Sequence, residues 1–200
     1  MPSVRTFGAV LLVVLAAMAA LVLTGCSDTK SEAPAPSSSE QPAISGEPAG
    51  FSADDIAFAF GTIAHHRQSV ELAALVPDRS TTPDVVALAS DITTAQEPEA
   101  DLMKALLVQW NENPNDATGR GGAVAGLIDD ATITRLQSLN GQEFDTLWLQ
   151  SMVEHGQGAV TLAEAEIPRG TNVDAVATAR RMVDSQQAQI GQMQQLLAAG

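Results

Sequence analysis

The chain has 200 residues, and its 24 acidic and 10 basic residues give a formal net charge of −14. Such an acidic protein repels the phosphate backbone, so the composition argues against nucleic acid as a partner. The only cysteine, Cys26, leaves no intramolecular disulfide possible.

Residues 1–25 predict a lipoprotein signal peptide. A short basic start is followed by an unbroken apolar run over 7–23, and the run ends in the sequence LTGC at 23–26. These four residues resemble the bacterial lipobox, which implies lipidation of Cys26 and cleavage before it. Acyl chains would then hold the protein to the extracytoplasmic face of the cell membrane. The alternative is an uncleaved N-terminal anchor helix.

Residues 26–50 predict a disordered tether, because they are rich in Ser, Pro, Ala and Glu and contain one large apolar residue, Ile44. The folded domain is expected over 51–200, a length that can build a core without disulfides.

The domain is predicted to be all-helical. A capping box at Ser52 and Asp55 starts the first helix, and Pro77 is expected to stop it. The remaining elements follow in chain order: a helix from Pro83 to about Trp110 with Pro98 inside it, a loop over 111–122, a short connecting helix over 130–139, a helix over about 142–167, and a helix capped by Asn172 that runs to the C-terminus.

The two halves of the domain repeat at an offset of 90 residues. His65 aligns with His155 and Asp55 with Asp145, and the match continues without a gap over about 54–110 and 144–199. A duplicated helical hairpin predicts a four-helix bundle, because the apolar stripe of each hairpin needs the other.

A polar layer is predicted inside this bundle. On a helical wheel His66 lies in the middle of the apolar arc of the first helix, while His65 and His155 lie at the edges of their arcs. Gly156 takes the place equivalent to His66, and its lack of a side chain is expected to leave space there. The other helices place further polar residues in their apolar arcs: Gln96, Glu99, Gln186 and Gln189. Since an unpaired buried polar group costs about 1–3 kcal/mol, these side chains need partners.

Two segments of the chain resemble the bacterial domain-of-unknown-function family 305 (DUF305). They are HHRQSVELA from His65 and FDTLWLQSMVEHGQGAVTLA from Phe144. The resemblance implies a ferritin-like bundle that is secreted or membrane-anchored, and some members are associated with copper through His and Met. This chain departs from the pattern at Leu72, Gly156 and Leu162, and each departure removes a soft ligand.

The leading functional hypothesis is a transition-metal site, with copper as the first choice, because imidazole and thioether groups suit that metal. Imidazole together with carboxylate would also suit zinc or iron. The candidate ligands are His65, His66, Glu99, Met103, Met152, His155 and Met193. The alternative is a non-catalytic protein-binding or scaffolding module at the cell surface, in which the layer of His and Gln residues is purely structural. An enzyme is not expected: the chain contains no Glu-x-x-His for a di-iron site and no nucleophile motif. Among the histidines, His66 is expected to matter most for metal binding.

Overall fold

A computed structural model of the chain describes residues 50–116 and 124–199. The predicted signal peptide, the lipidated Cys26 and the tether lie outside these residues, as does part of the loop predicted over 111–122. The described residues contain no β-strand. They form five helices: α1 (Ala53–Ala73), α2 (Pro83–Gln109), α3 (Asp130–Ser138), α4 (Gly141–Glu166) and α5 (Val173–Ala199).

The helix boundaries follow local signals that the sequence analysis identified. Ser52 and Asp55 form the expected capping box at the start of α1. The side chain of Asn172 accepts the backbone N–H groups of Asp174 and Ala175, as a cap of α5 should. Pro98 lies inside α2, and the helix continues through it. The first helix ends at Ala73, a few residues before Pro77, as the stop signal of that proline predicts.

The four long helices pack mainly in two pairs, α1 with α2 and α4 with α5, and α1 also packs along α4. Two apolar clusters fill the interior. One contains Phe144 and Trp148, and the other contains Phe58 and Met182. No helix of the described residues is long and apolar enough to cross a membrane. The contact between α1 and α4 brings the two histidine-bearing segments together.

Two aspartates at equivalent positions tie each pair of helices to the turn of the other pair. Asp55 in α1 accepts hydrogen bonds from the backbone of Thr171 and Asn172, which lie between α4 and α5. Asp145 in α4 accepts one from the hydroxyl of Thr82, which precedes α2. Both aspartates are buried. The start of each hairpin is therefore fixed by hydrogen bonds to the turn of the opposite hairpin.

The carboxyl group of Glu166 lies in the same region, and it is 2 % exposed. Burial raises its pKa to about 8, and the neighbouring Asp55 adds to the effect. Burial alone would also raise the pKa of Asp55, but hydrogen bonds from Ser52 and Asn172 hold it well below its usual range. Two neighbouring carboxyl groups thus have pKa values shifted in opposite directions.

Candidate functional site

His65 of α1 and His155 of α4 form a buried pair across the two halves of the domain. Nδ1 of His65 lies 3.0 Å from Nε2 of His155. The ring centroids are 4.2 Å apart and the planes are tilted by 49°. Their residues are 0 % and 2 % exposed. The helical wheel placed both histidines at the edges of their apolar arcs, and these edges are buried because a further part of the chain covers them.

The cover is the segment 124–129, which precedes α3. Its carbonyl groups face the two outer ring nitrogens: Nε2 of His65 is 2.7 Å from the oxygen of Ala125, and Nδ1 of His155 is 3.0 Å from that of Gly126. A carbonyl oxygen only accepts, so these two contacts favour a hydrogen on each outer nitrogen.

Two residues seat this segment on the helices. The side-chain amide of Gln68 in α1 donates to the oxygen of Ile128 at 2.9 Å and accepts from its N–H at 2.7 Å. Gly158 in α4 lies against Ala125 and Gly126 so closely that a Cβ atom there would collide with their backbone. Hydrogen bonds from Gln68 hold the segment against α1. The segment can pack directly on α4 because Gly158 has no side chain.

The histidine pair is one proton short of satisfying its contacts. The two carbonyl contacts need one N–H each, and the contact between the rings needs a third. Burial lowers the pKa of His155 to about 3, with the nearby His65 adding to the effect, and burial also lowers the pKa of His65. Two neutral rings carry two N–H groups. With both outer nitrogens protonated, the inner nitrogens face each other with lone pairs.

Two further groups surround this inner position. The hydroxyl of Ser69 lies 2.8 Å from Nε2 of His155 and can donate to it. The backbone oxygen of His65 lies 3.2 Å from the same nitrogen and can only accept. Two nitrogen lone pairs and a carbonyl oxygen therefore converge in a buried space.

His66 points elsewhere and has a different partner. Its Nε2 donates to Oε2 of Glu99 in α2 at 2.9 Å, and this hydrogen bond stays within one half of the domain. His66 is 1 % exposed and the Glu99 side chain 20 %. The expected contact between His66 and Glu99 is thus present. His66 also lines a cleft of about 330 Å³ between α1 and α2, together with Gln96.

The predicted glutamine layer is buried in part. Gln96 and Gln186 are buried, whereas Gln189 is half-buried. Oε1 of Gln96 has no hydrogen-bond partner among the described residues. The room made by Gly156 is taken by α5: a Cβ atom there would lie 3.0 Å from Cγ1 of Ile190 and 3.3 Å from Oε1 of Gln186. The glycine thus allows α5 to pack closely on α4.

The three candidate methionines lie in the apolar clusters. Met152 and Met193 belong to the cluster around Phe144 and Trp148, and Met103 belongs to the other cluster. All three are buried, which is the ordinary place of Met in a core. The described residues contain no group of three or more His, Cys, Asp or Glu side chains that could hold a metal ion. Among the predicted residues, His65 and His155 are the two whose ring nitrogens lie within hydrogen-bond distance of each other.

Sequence reasoning missed Ser69, Gln68 and the carbonyl groups of Ala125 and Gly126. Ser69 follows the double histidine by one turn and could have been found from its place in the apolar arc. The glycines at 126 and 158 are the visible signal of close backbone contact. Backbone carbonyl groups carry no sequence signature at all, so the cover over the histidines could not be read from residue types.

The DUF305 family (domain of unknown function) matches residues 55–197. The chain belongs to this family. Three solved structures show the same fold. A DUF305 protein of Streptomyces coelicolor assigned to the secreted proteins is 33 % identical with a TM-score of 0.68, over 73 % of this chain and 93 % of that one. A DUF305 fragment from Deinococcus radiodurans is 25 % identical with a TM-score of 0.68, over 75 % and 99 %.

The third structure is CopM in its Cu(I)-bound form. It is 26 % identical with a TM-score of 0.63, over 72 % of this chain and 96 % of CopM. CopM has also been crystallised with silver. No curated protein sequence matches the chain significantly.

Proposed function

We propose that this chain is a membrane-anchored extracytoplasmic lipoprotein whose ferritin-like four-helix bundle, a duplicated helical hairpin, binds copper in its monovalent state. The binding site is the His65–His155 pair. The observation that carries the proposal is the convergence of two inner ring nitrogens, 3.0 Å apart, whose outer nitrogens both face carbonyl oxygens. To hold an ion between them the rings have to move apart, because each metal–imidazole bond is itself about 2 Å long. The relation to CopM, which was solved with Cu(I) bound, supports the choice of metal.

The donor set fits a monovalent ion better than zinc. Structural zinc takes four ligands from Cys, His and carboxylate groups, and such a group is absent from the described residues. Cu(I) is satisfied by few donors, and imidazole nitrogen is among the ligands of copper. The two inner nitrogens are neutral donors in a buried place, so the smallest possible ionic charge is favoured. His65 and His155 would hold the ion, with the Ser69 hydroxyl beside it.

When bound, the metal supplies a positive charge at the position where the pair lacks a proton. The residues of the chain orient the ring nitrogens and exclude water. The outer N–H groups of the pair donate to Ala125 and Gly126 and so orient the rings. The covering segment and the helices exclude water, since both histidines are almost completely buried. A store or carrier of Cu(I) requires this kind of shielded site.

Thermal unfolding with and without metal tests the proposal. A ligand that binds only the folded state raises its stability by mass action, by about 2.7 kcal/mol at a hundredfold excess over Kd. We expect Cu(I) under reducing conditions, and Ag(I) as its redox-stable substitute, to raise the melting temperature. Zn(II) should have little effect. No shift with either monovalent ion would contradict the proposal, and the surface protein-binding module would remain.

The anchor is tested separately at Cys26. The lipobox resemblance supports lipidation there, and acyl chains bind membranes through their buried CH₂ groups. Cys26→Ala should block cleavage and change the mature size and membrane extraction of the protein. A variant of unchanged size that stays equally firmly in the membrane fraction would contradict lipidation.

A further inference from the structure

The segment over the histidine pair is held by two residues at equivalent positions of the repeat. Gln68 and Gly158 are separated by the same 90 residues as His65 and His155. Each lies three residues after its histidine, on the same face of its helix. Gln68 binds the backbone of Ile128 at both its N–H and its oxygen. Gly158 leaves room for Ala125 and Gly126.

The two-point hydrogen bond fixes both the position and the orientation of the Ile128 peptide groups. Three residues before Ile128 stands Ala125, whose oxygen accepts from His65 at 2.7 Å, and the oxygen of Gly126 accepts from His155 at 3.0 Å. The short stretch between these contacts leaves the carbonyl groups little freedom once Ile128 is held. Close packing on Gly158 restrains them from the other helix.

The positions of these carbonyl groups decide which tautomer each ring adopts. With both carbonyl groups in place, the hydrogen of His65 sits on Nε2. On His155 the oxygen of Gly126, 3.0 Å from Nδ1, favours a hydrogen there, because the competing oxygen of His65 is farther from Nε2, at 3.2 Å, and the Ser69 hydroxyl at 2.8 Å can donate to that nitrogen. Without them, His65 can place its hydrogen on Nδ1 and donate directly to Nε2 of His155, 3.0 Å away. That arrangement satisfies the two rings by themselves and removes the facing lone pairs.

We propose that Gln68 and Gly158 are positioning residues that hold the carbonyl groups of Ala125 and Gly126 on the histidine pair, and so keep the two inner ring nitrogens unprotonated and open to a monovalent metal ion. The metal-binding half of this inference rests on the proposed function. Partners of this kind, which orient a metal-binding histidine through its other nitrogen, typically change metal affinity by about 10–100-fold when removed.

The test uses the full-length protein in detergent, labelled with ¹⁵N at histidine, because ring ¹⁵N shifts separate nitrogens that carry a hydrogen from those that do not. Spectra without metal are compared for the wild type, Gln68→Ala and Gly158→Ala. The first variant removes the hydrogen bonds to Ile128, and the second introduces a Cβ atom where the backbone of Ala125 lies. Gln157→Ala, an exposed position in α4, is the matched control. Ag(I) affinity is then measured for all four proteins.

In the wild type and the control, we expect hydrogens on Nε2 of His65 and Nδ1 of His155 only. Both other variants should show averaged or exchanged shifts for these rings, and Ag(I) affinity about 10–100-fold lower than in the wild type. Wild-type tautomers in both variants would overturn the inference, and so would altered tautomers with unchanged Ag(I) affinity. Absence of Ag(I) binding by the wild type would instead defeat the proposed function, while the spectra without metal would still decide whether these residues set the tautomers.

Discussion

The neighbouring histidines of α1 lie in two different kinds of site. His65 pairs with His155 across the two halves of the domain, under a cover of backbone carbonyl groups. His66 pairs with Glu99 of α2 within one half, beside an open cleft. Both histidines are almost completely buried, yet their partners differ in charge and in hydrogen-bonding capacity.

The difference shows how the partner of a buried histidine decides what the site can bind. A carboxylate accepts the N–H of His66 and provides negative charge, so that pair is complete with the protons it has. The His65–His155 pair has neither a carboxylate partner in its hydrogen bonds nor enough protons for its contacts. A monovalent cation would make up what is missing there, whereas Nε2 of His66 already has a carboxylate partner.

The first prediction separates the two sites by metal binding. His155→Gln removes one of the two inner nitrogens and should weaken Ag(I) or Cu(I) binding by more than about 100-fold, since even a supporting partner of such a ligand contributes 10–100-fold. His66→Gln, the matched change at the neighbouring site, should leave affinity nearly unchanged. Competition titrations with a chromophoric chelator measure both.

This ordering reverses the expectation from the helical wheel, in which His66 mattered most. Loss of metal binding in His66→Gln together with full binding in His155→Gln would show that the metal binds at His66 and not at the His65–His155 pair.

The second prediction concerns acid. The folded-state pKa of His155 is about 3 because of burial, against 6.5 in the unfolded chain. As pH falls below 6.5 the unfolded state takes up the proton first, so the free energy of unfolding should fall between pH 6.5 and 3, on the order of a few kcal/mol. Denaturant unfolding across this range measures the loss.

His155→Gln should lose less stability than the wild type over the same interval. Glu166 acts in the opposite direction: its pKa is raised from 4.5 to about 8, so the free energy of unfolding falls as pH rises between these values. Glu166→Gln should remove that decline and keep the acid loss. Parallel acid profiles for the wild type and His155→Gln would exclude a neutral, buried pair.

The smallest expected effect is at the His66–Glu99 pair, whose hydrogen bond has both a donor and an acceptor. Glu99→Gln replaces the carboxylate that accepts from His66 with an amide, which still offers an oxygen. We expect a loss of about 1–2 kcal/mol in the free energy of unfolding, because hydrogen bonds to charged groups contribute about 1.5–3 kcal/mol and a neutral one less. Ag(I) affinity should not change, and a large decrease would link the two sites.

Much of the helical architecture could be predicted from the sequence, because its signals are local. Ser52, Asp55 and Asn172 cap helices through contacts within a few residues. The offset of 90 aligned His65 with His155, and the two rings do meet. The contact of His66 with Glu99 also followed from helical periodicity.

The cover over the histidine pair could not be predicted in this way. It depends on where an irregular segment, 124–129, lies against two helices, and helical periodicity describes only the helices themselves. A wheel places His65 at an edge of the apolar arc, and that edge is buried only because Ala125 and Gly126 lie on it. The pair lacks one N–H because of those carbonyl groups, so this deficit could not be predicted from the sequence either.

The most direct test of the central claim is the ¹⁵N histidine spectrum of the full-length protein during titration with Ag(I). Silver nuclei couple to the nitrogens that bind them, so the bound atoms are identified individually. We predict that one equivalent shifts and splits Nδ1 of His65 and Nε2 of His155, while His66 stays unchanged. Signals that change at His66 first, or ring nitrogens that do not respond to silver at all, would contradict the assignment of the metal to the His65–His155 pair.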